Sequence, residues 1–263
     1  MSQNIYDTAA FFASYSALPR SVSGLAGAPE WPRLRSFIPP LTNARVLDLG
    51  CGYGWYTRYL RSAGASSVLG IDVSAKMLER AQELTGDEDA GVRYERGDLD
   101  DEETRKRLFG GEGEVDLVFS SLAVHYLEGL EEVVWDVFRV LKPGGSFVFS
   151  AEHPIFTAPE RQGVVEIPVP GKEGEVRRVW PLHDYQKQGL RVSNWLTTEG
   201  VRKYHRTVTT YINLLLDAGF ELAGFNEWYP TREELESDPW WINEHKNETI
   251  KPTFLLVKAT KQV

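Results

Sequence analysis

Gly50, Gly52 and Gly54 stand at alternate positions directly after the run Val46-Leu47-Asp48-Leu49. Glycine accepts positive φ and presents bare backbone, so such a turn lets another molecule come against the main chain. The run before it is apolar apart from Asp48, the pattern of a strand buried on both faces of a parallel sheet. Strand, glycine turn and the helical stretch after it make the first unit of a nucleotide-binding α/β fold. A dinucleotide site needs a third glycine in the order G-x-G-x-x-G, and Trp55 takes that place here. An indole there blocks close helix–strand packing and the approach of a pyrophosphate to the helix N-terminus. The expected ligand is therefore a nucleoside without phosphates. Asp48 beneath the turn suits a ligand carrying positive charge. Cys51 is expected to fill the turn as a small residue rather than to act as a reactive thiol.

A second carboxylate, Asp72, ends the apolar run from Val68, 22 residues beyond Gly50. At the C-terminal end of a second strand it can accept both hydroxyl hydrogens of a ribose. Ser74 is the better N-cap for the helix that follows over 75–84, and Met77 on that helix faces back toward the strand ends and the base of the expected nucleoside. Gly97-Asp98-Leu99 follows a third strand over 92–95. Ser120 and Ser121 leave the end of a fourth over 115–119, at the switch point where ligands of such sheets sit. No Asn/Asp-Pro-Pro-Tyr motif occurs there. No acidic cluster occurs there either, so no metal site is expected.

The order apolar–apolar–Asp–apolar–Gly-x-Gly-x-Gly over Val46 to Gly54 resembles the first motif of the class I S-adenosylmethionine-dependent methyltransferases. Leu141-Lys142-Pro143-Gly144-Gly145 is a second familiar mark of that family, and the resemblance covers nearly the whole chain. It implies a Rossmann-like α/β fold: a seven-stranded, mostly parallel sheet with helices on both faces and the last strand antiparallel and inserted. It implies S-adenosylmethionine as cofactor and S-adenosylhomocysteine as product. It places Asp98 on the adenine amino group and the Leu99 amide on the ring, with Tyr53, Val73 and Ser120 beside the cofactor. The Glu152-His153-Pro154 and Tyr204-His205-Arg206-Thr207 segments resemble a group of small methyltransferases whose acceptor their motifs do not name.

One methyltransferase domain over 1–263 accommodates the remainder. Residues 1–44 carry Tyr6, Phe11, Phe12, Tyr15 and Trp31, too aromatic for a disordered tail; they are expected to form a lid, with Tyr6, Tyr15 and Arg20 as its polar contacts. Residues 45–151 form the cofactor core, with a fifth strand over 146–150. Residues 152–200 interrupt the alternation with a hairpin about Gly171–Gly174 and are expected to cap the substrate. Residues 201–263 return to the core, through a helix opening at Tyr204 and strands over 220–228 and 253–259, with a polar stretch over 231–247 holding Trp240 and Trp241.

Methyl transfer from sulfonium needs chiefly alignment; a base is needed only when the acceptor holds a proton of high pKa. The candidates are His125, Glu152, His153, His183 and His205. His153 and His205 lead on position, and His125 stands next. The formal charge of −9 leaves little basic surface for phosphates, which excludes nucleic acid as a first choice of substrate. A single cysteine fits a reducing, cytoplasmic compartment, and no apolar run is long enough to span a membrane. The expected activity is metal-independent transfer of methyl to oxygen or nitrogen of a small organic molecule. The competing readings are a non-methylating enzyme or a non-catalytic S-adenosylmethionine-binding protein on the same fold.

Overall fold

A computed structural model describes residues 3–86, 90–160, 163–196, 198–231, 233 and 251–263. The central sheet is built from β1 (Arg45–Leu49), β2 (Ser67–Asp72), β3 (Val92–Arg96), β4 (Val115–Ser121) and β5 (Leu141–Glu152), all parallel. Two small hairpins follow, β6 (Val165–Pro168) with β7 (Val176–Val179) and β8 (Gly189–Trp195) with β9 (Thr198–His205). The chain then re-enters the sheet through β10 (Phe220–Trp228) and β11 (Phe254–Lys261). The order across the sheet is β10-β11-β5-β4-β1-β2-β3. β11 is inserted antiparallel between β5 and β10, as expected.

Alternation along the inner strands divides the core into two layers. Phe147 and Phe149 of β5 meet Leu255 and Val257 under the helices Leu130–Val140 and Val208–Asp217. Val148, Leu117 and Leu256 face the other way, onto Leu60 of the helix Trp55–Ser62 and onto Trp31, Leu34 and Phe37 of the N-terminal segment. That segment therefore closes one layer of the core.

Ser74 caps the helix Ala75–Thr85 by accepting from Met77 N at 3.1 Å, as its position implied. The expected β6–β7 hairpin is present. Three expectations are corrected. β5 begins at Leu141, and Lys142-Pro143-Gly144-Gly145 is a bulge within it, because the pairing with β4 jumps from Val115↔Leu141 to Leu117↔Ser146. Tyr204 and His205 end a strand instead of opening a helix. The inward set Val201, Lys203 and His205 has a period of two, and the Thr207 hydroxyl accepts from Thr210 N, so the helix starts at Val208. The insertion consequently runs to about residue 206, past the expected limit of 200. The stretch 231–247, with Trp240 and Trp241, lies outside the described residues except for Thr231 and Glu233.

Candidate functional site

β1 and β2 end side by side, and the chain leaving β1 must turn sharply over the edge of the sheet. Gly50 has φ +71° and Gly52 φ +52°, conformations that cost other residues strain. A side chain on Gly50 would overlap Ala123, whereas a Cβ on Gly52 would meet nothing within 4 Å. The turn thus leaves bare backbone facing open space. Asp72 pins it from below: Oδ2 accepts from Gly52 N and Oδ1 from Ser74 N, each at 2.9 Å. Burial raises the Asp72 carboxyl above its ordinary range, and these two amide bonds work against the rise.

Asp48 lies deeper, 1% exposed. Its Oδ2 accepts from Thr57 Oγ1 at 2.6 Å, and its Oδ1 has no hydrogen-bond partner. Burial pushes this carboxyl up to about 7, and the nearby Asp72 adds to the rise. Burial likewise drives the Cys51 thiol well above its ordinary value, so it stays protonated and inert.

Above the strand ends is a cavity of about 380 Å³. Its floor holds the glycine turn, Asp72, Val73, Met77 and Leu99. Its roof comes from the N-terminal segment, through Tyr6, Tyr15 and Arg20. The Arg20 guanidinium donates to both oxygens of the fully buried Glu30, at 3.2 and 3.3 Å. Tyr53 also lines the cavity, its hydroxyl 2.7 Å from Ser16 Oγ. Trp55 occupies the wall that a third glycine would have opened.

Beyond the floor, the turn after β4 passes through Leu122, a non-glycine residue at φ +53°. Such strain persists where surrounding bonds hold it; here Leu122 N donates both to the Ser150 carbonyl and to Ser150 Oγ, each at 3.0 Å. The turn delivers His125 and Tyr126 to the far end of the cavity, where Glu152 leaves β5. Lys203, 3% exposed, reaches down from β9 and donates to Glu152 Oε1 at 2.5 Å. Burial pushes the Glu152 carboxyl up, but the charge and hydrogen bond of Lys203, together with His125, hold the group below the ordinary carboxylate range. His125 Nδ1 accepts from Glu152 N at 3.3 Å, which leaves the ring proton on Nε2. Burial lowers His125 to about 4, with Lys203 and Arg206 adding to the effect and Glu152 opposing it, so the ring is neutral.

Aromatic rings complete this end. Tyr6 packs edge-on to Tyr15, Tyr126 and Trp195, at centroid distances of 5.4, 6.3 and 6.5 Å. The Lys203 ammonium lies 5.4 Å from the Trp195 ring centre and 6.0 Å from that of Tyr126, within the range of cation–π attraction.

The cavity brings together most of the residues singled out from the sequence: Tyr15, Arg20, Tyr53 and Val73 beside the turn and Asp72, and Met77, Leu99 and His125 further along. It does not bring in others. Asp48 lies beneath the turn. Asp98 is half-buried, and its Oδ1 accepts from Asp100 N at 3.0 Å. Ser120 is buried and donates to Leu49 O at 2.8 Å, so of the two serines ending β4 it is Ser121 that lines the cavity. His153 and His205 are absent from the lining. His153 Nε2 lies 2.8 Å from Glu227 Oε1, and its Nδ1 accepts from Ile155 N. His205 donates from Nε2 to Tyr185 O at 2.8 Å, and its Nδ1 pairs with Thr157 Oγ1 at the same distance. Burial lowers both imidazoles below their ordinary value. His183 is exposed beside Asp184. Sequence reading gives no weight to Lys203 or Tyr126; the alternation Val201-x-Lys203-x-His205 is the signal that could find the first.

Comparison with known proteins follows the same outline. A family model described as a methyltransferase domain matches residues 47–149. A solved S-adenosylmethionine-dependent methyltransferase from Mesorhizobium loti is 42% identical, with a TM-score of 0.77, over 90% of this chain and all of its own. An uncharacterised protein of Haemophilus influenzae is 32% identical over 98% of this chain and 97% of its own length. A malonyl-[acyl-carrier protein] O-methyltransferase of Pectobacterium atrosepticum is 35% identical over 118 residues, 45% of this chain and 42% of that protein.

Proposed function

We propose that this chain, which belongs to the class I S-adenosylmethionine-dependent methyltransferases, transfers methyl to an oxygen or nitrogen of a small organic acceptor. One observation carries the reading: a single cavity runs from the bare backbone of Gly52 and the Asp72 carboxylate to the charged, aromatic end at Glu152, Lys203 and Tyr126. The first end fits a nucleoside, because a Cβ at Gly52 would fill open space and Asp72 is a strand-end acceptor. Bound there, S-adenosylmethionine supplies an activated methyl group on sulfur.

In this reading Asp72 holds the ribose hydroxyls, Gly50 and Gly52 let the cofactor lie against backbone, and Met77 and Leu99 pack on the adenine. Asp98 contributes from the edge of the ring, and Asp48 and Ser120 support the turn and the strand end from beneath. Residues 1–44 act as the lid, through Tyr6, Tyr15 and Arg20, and exclude water from the reacting groups. Residues 153–206 act as the acceptor cap. Among the described residues His125 is the histidine of the lining, while the hydrogen bonds of His153 and His205 favour a role in holding the cap together. The formal charge of −9 supports a small acceptor over a nucleic acid. Among the described residues no three His, Cys, Asp or Glu side chains gather as metal ligands, which supports a metal-independent reaction. The lone Cys51 supports a cytoplasmic location.

Calorimetry tests the cofactor half of the reading: S-adenosylmethionine should bind and NAD should not. Mass spectrometry with methyl-labelled cofactor and a metabolite mixture tests the other half, the expected result being label in a small organic product. Binding without any labelled product from a complete extract would leave a sensor rather than an enzyme.

A further inference from the structure

The acceptor end of the cavity contains charge that the cofactor does not need, and its arrangement restricts the acceptor. Among the described residues, the lysine and arginine side chains in the lining are Arg20 and Lys203. Each is already matched inside the protein: Arg20 by both oxygens of Glu30, Lys203 by Glu152. A carboxylate or phosphate acceptor would enter here facing Glu152, with its charge uncompensated in a desolvated site. A cationic amine would bring a further positive charge beside Lys203. A neutral group meets neither penalty. The walls at this end are the rings of Tyr6, Tyr15, Tyr126, Phe156 and Trp195, which suit a planar aromatic body.

Glu152 also stands where a proton acceptor is needed. Oε1 is held by Lys203. Its side chain lines the cavity and remains 20% exposed, so the other carboxylate oxygen is available to a bound hydroxyl. We infer that the acceptor is a neutral aromatic hydroxyl, that Glu152 takes its proton, and that Lys203 is a positioning residue for Glu152. This rests on the methyltransferase reading above and narrows it. As the acceptor oxygen forms its bond to the methyl carbon, the sulfur–methyl bond breaks and its electron pair stays on sulfur. The hydroxyl proton passes to Glu152 and leaves to solvent after release. The groups facing Glu152 are His125 and Tyr126 from the turn after β4, Lys203 from β9 and Tyr211 from the helix Val208–Asp217. His125 does not compete for the proton: its Nδ1 lone pair is engaged by Glu152 N.

The first test needs no turnover. 4-Nitrophenol reports its own ionisation by absorbance. Bound to the wild-type protein without cofactor, it should titrate at higher pH than in solution, because Glu152 disfavours the phenolate. Bound to Glu152→Gln, it should titrate lower than in solution, because Lys203 is then uncompensated. Benzoate should bind the wild type at least tenfold more weakly than 4-nitrophenol and gain affinity in Glu152→Gln. The second test uses methyl-labelled S-adenosylmethionine with simple phenols, benzoate and benzylamine. Label should enter the phenols only. Glu152→Gln should lower kcat by about a hundredfold or more with S-adenosylmethionine affinity kept within threefold. Lys203→Met should move the acidic limb of the kcat–pH profile to higher pH, a change that simple misfolding would not produce. An unchanged 4-nitrophenol titration in wild type and Glu152→Gln, or transfer to benzoate in preference to the phenols, overturns the inference while leaving the cofactor reading intact. A wild-type protein that fails to bind S-adenosylmethionine overturns both.

Discussion

In the proposed site Asp72 serves the turn and the ligand with one carboxylate. Its two oxygens already accept from Gly52 N and Ser74 N, and each keeps a second lone pair. Asp72→Ala should therefore weaken S-adenosylmethionine binding by at least about tenfold, since hydrogen bonds to a charged group contribute about 1.5–3 kcal/mol. Calorimetry on a variant with wild-type circular dichroism checks this, and unchanged affinity would remove Asp72 from the ribose. Asp48 behaves differently because it is buried with one oxygen unpartnered. Its folded pKa, about 7, lies above the ordinary aspartate value of about 3.9, so the folded state binds the proton more tightly than the unfolded chain. Its contribution is fully favourable below the unfolded pKa and is lost as pH rises through the folded one. The loss should reach about 3 kcal/mol between pH 4 and 7. Asp48→Asn, which keeps the shape without the charge, should remove this part of the slope; urea unfolding at a series of pH values measures it.

Elements come together at this site through ion pairs and rings rather than through the sheet alone. The N-terminal segment reaches the core through Trp31, Leu34 and Phe37, and the Arg20–Glu30 pair ties the part that roofs the cavity to the part that packs in the core. Glu30 is fully buried while Arg20 keeps 23% of its side chain exposed. Removing one partner of a buried pair leaves the other uncompensated and costs about 3–5 kcal/mol; Arg20 can relax toward solvent, so Glu30→Ala should cost about 3 kcal/mol or less. Denaturant unfolding of Glu30→Ala, Arg20→Ala and the double variant measures the coupling. Additive losses would show that the pair contributes nothing to docking the segment. The β8–β9 hairpin is tied to the core in a comparable way, by Lys203 on Glu152.

At the scale of the whole molecule, sheet, roof and hairpin enclose one cavity, so occupying it should stabilise them together. Saturation with S-adenosylmethionine at a hundredfold excess over Kd should add about 2.7 kcal/mol, raising Tm by about 5–10 °C for a chain of this size. A thermal melt showing no shift under calorimetric saturation would mean that binding and folding are not linked. Turnover should also survive EDTA, given that the described residues hold no cluster of metal ligands. Lost activity restored by magnesium would contradict that.

The cofactor half of the protein was legible in the sequence because its determinants are local. The glycine turn, the apolar run before it and the carboxylate at the end of β2 are each read within a few residues. Their backbone needs, positive φ at Gly50 and Gly52 and continuous burial in β1, restrict the residue types allowed. The sheet order with its antiparallel insert followed from the resemblance those motifs carried. The acceptor end was not legible in that way. Whether His205 opens a helix or closes a strand depended on pairing with Gly189, sixteen residues earlier, and on the Thr207 cap. That pairing turns Lys203 inward onto Glu152, 51 residues away, and sets His205 between Thr157 and Tyr185 O, outside the cavity lining; His153 is held separately, by Glu227 of β10. A histidine or lysine at one position looks the same in sequence whether its partner is solvent, a substrate or a buried carboxylate. Tertiary contact between β5, β9 and the turn after β4 makes that choice, through desolvation and the charge of whichever group lies opposite.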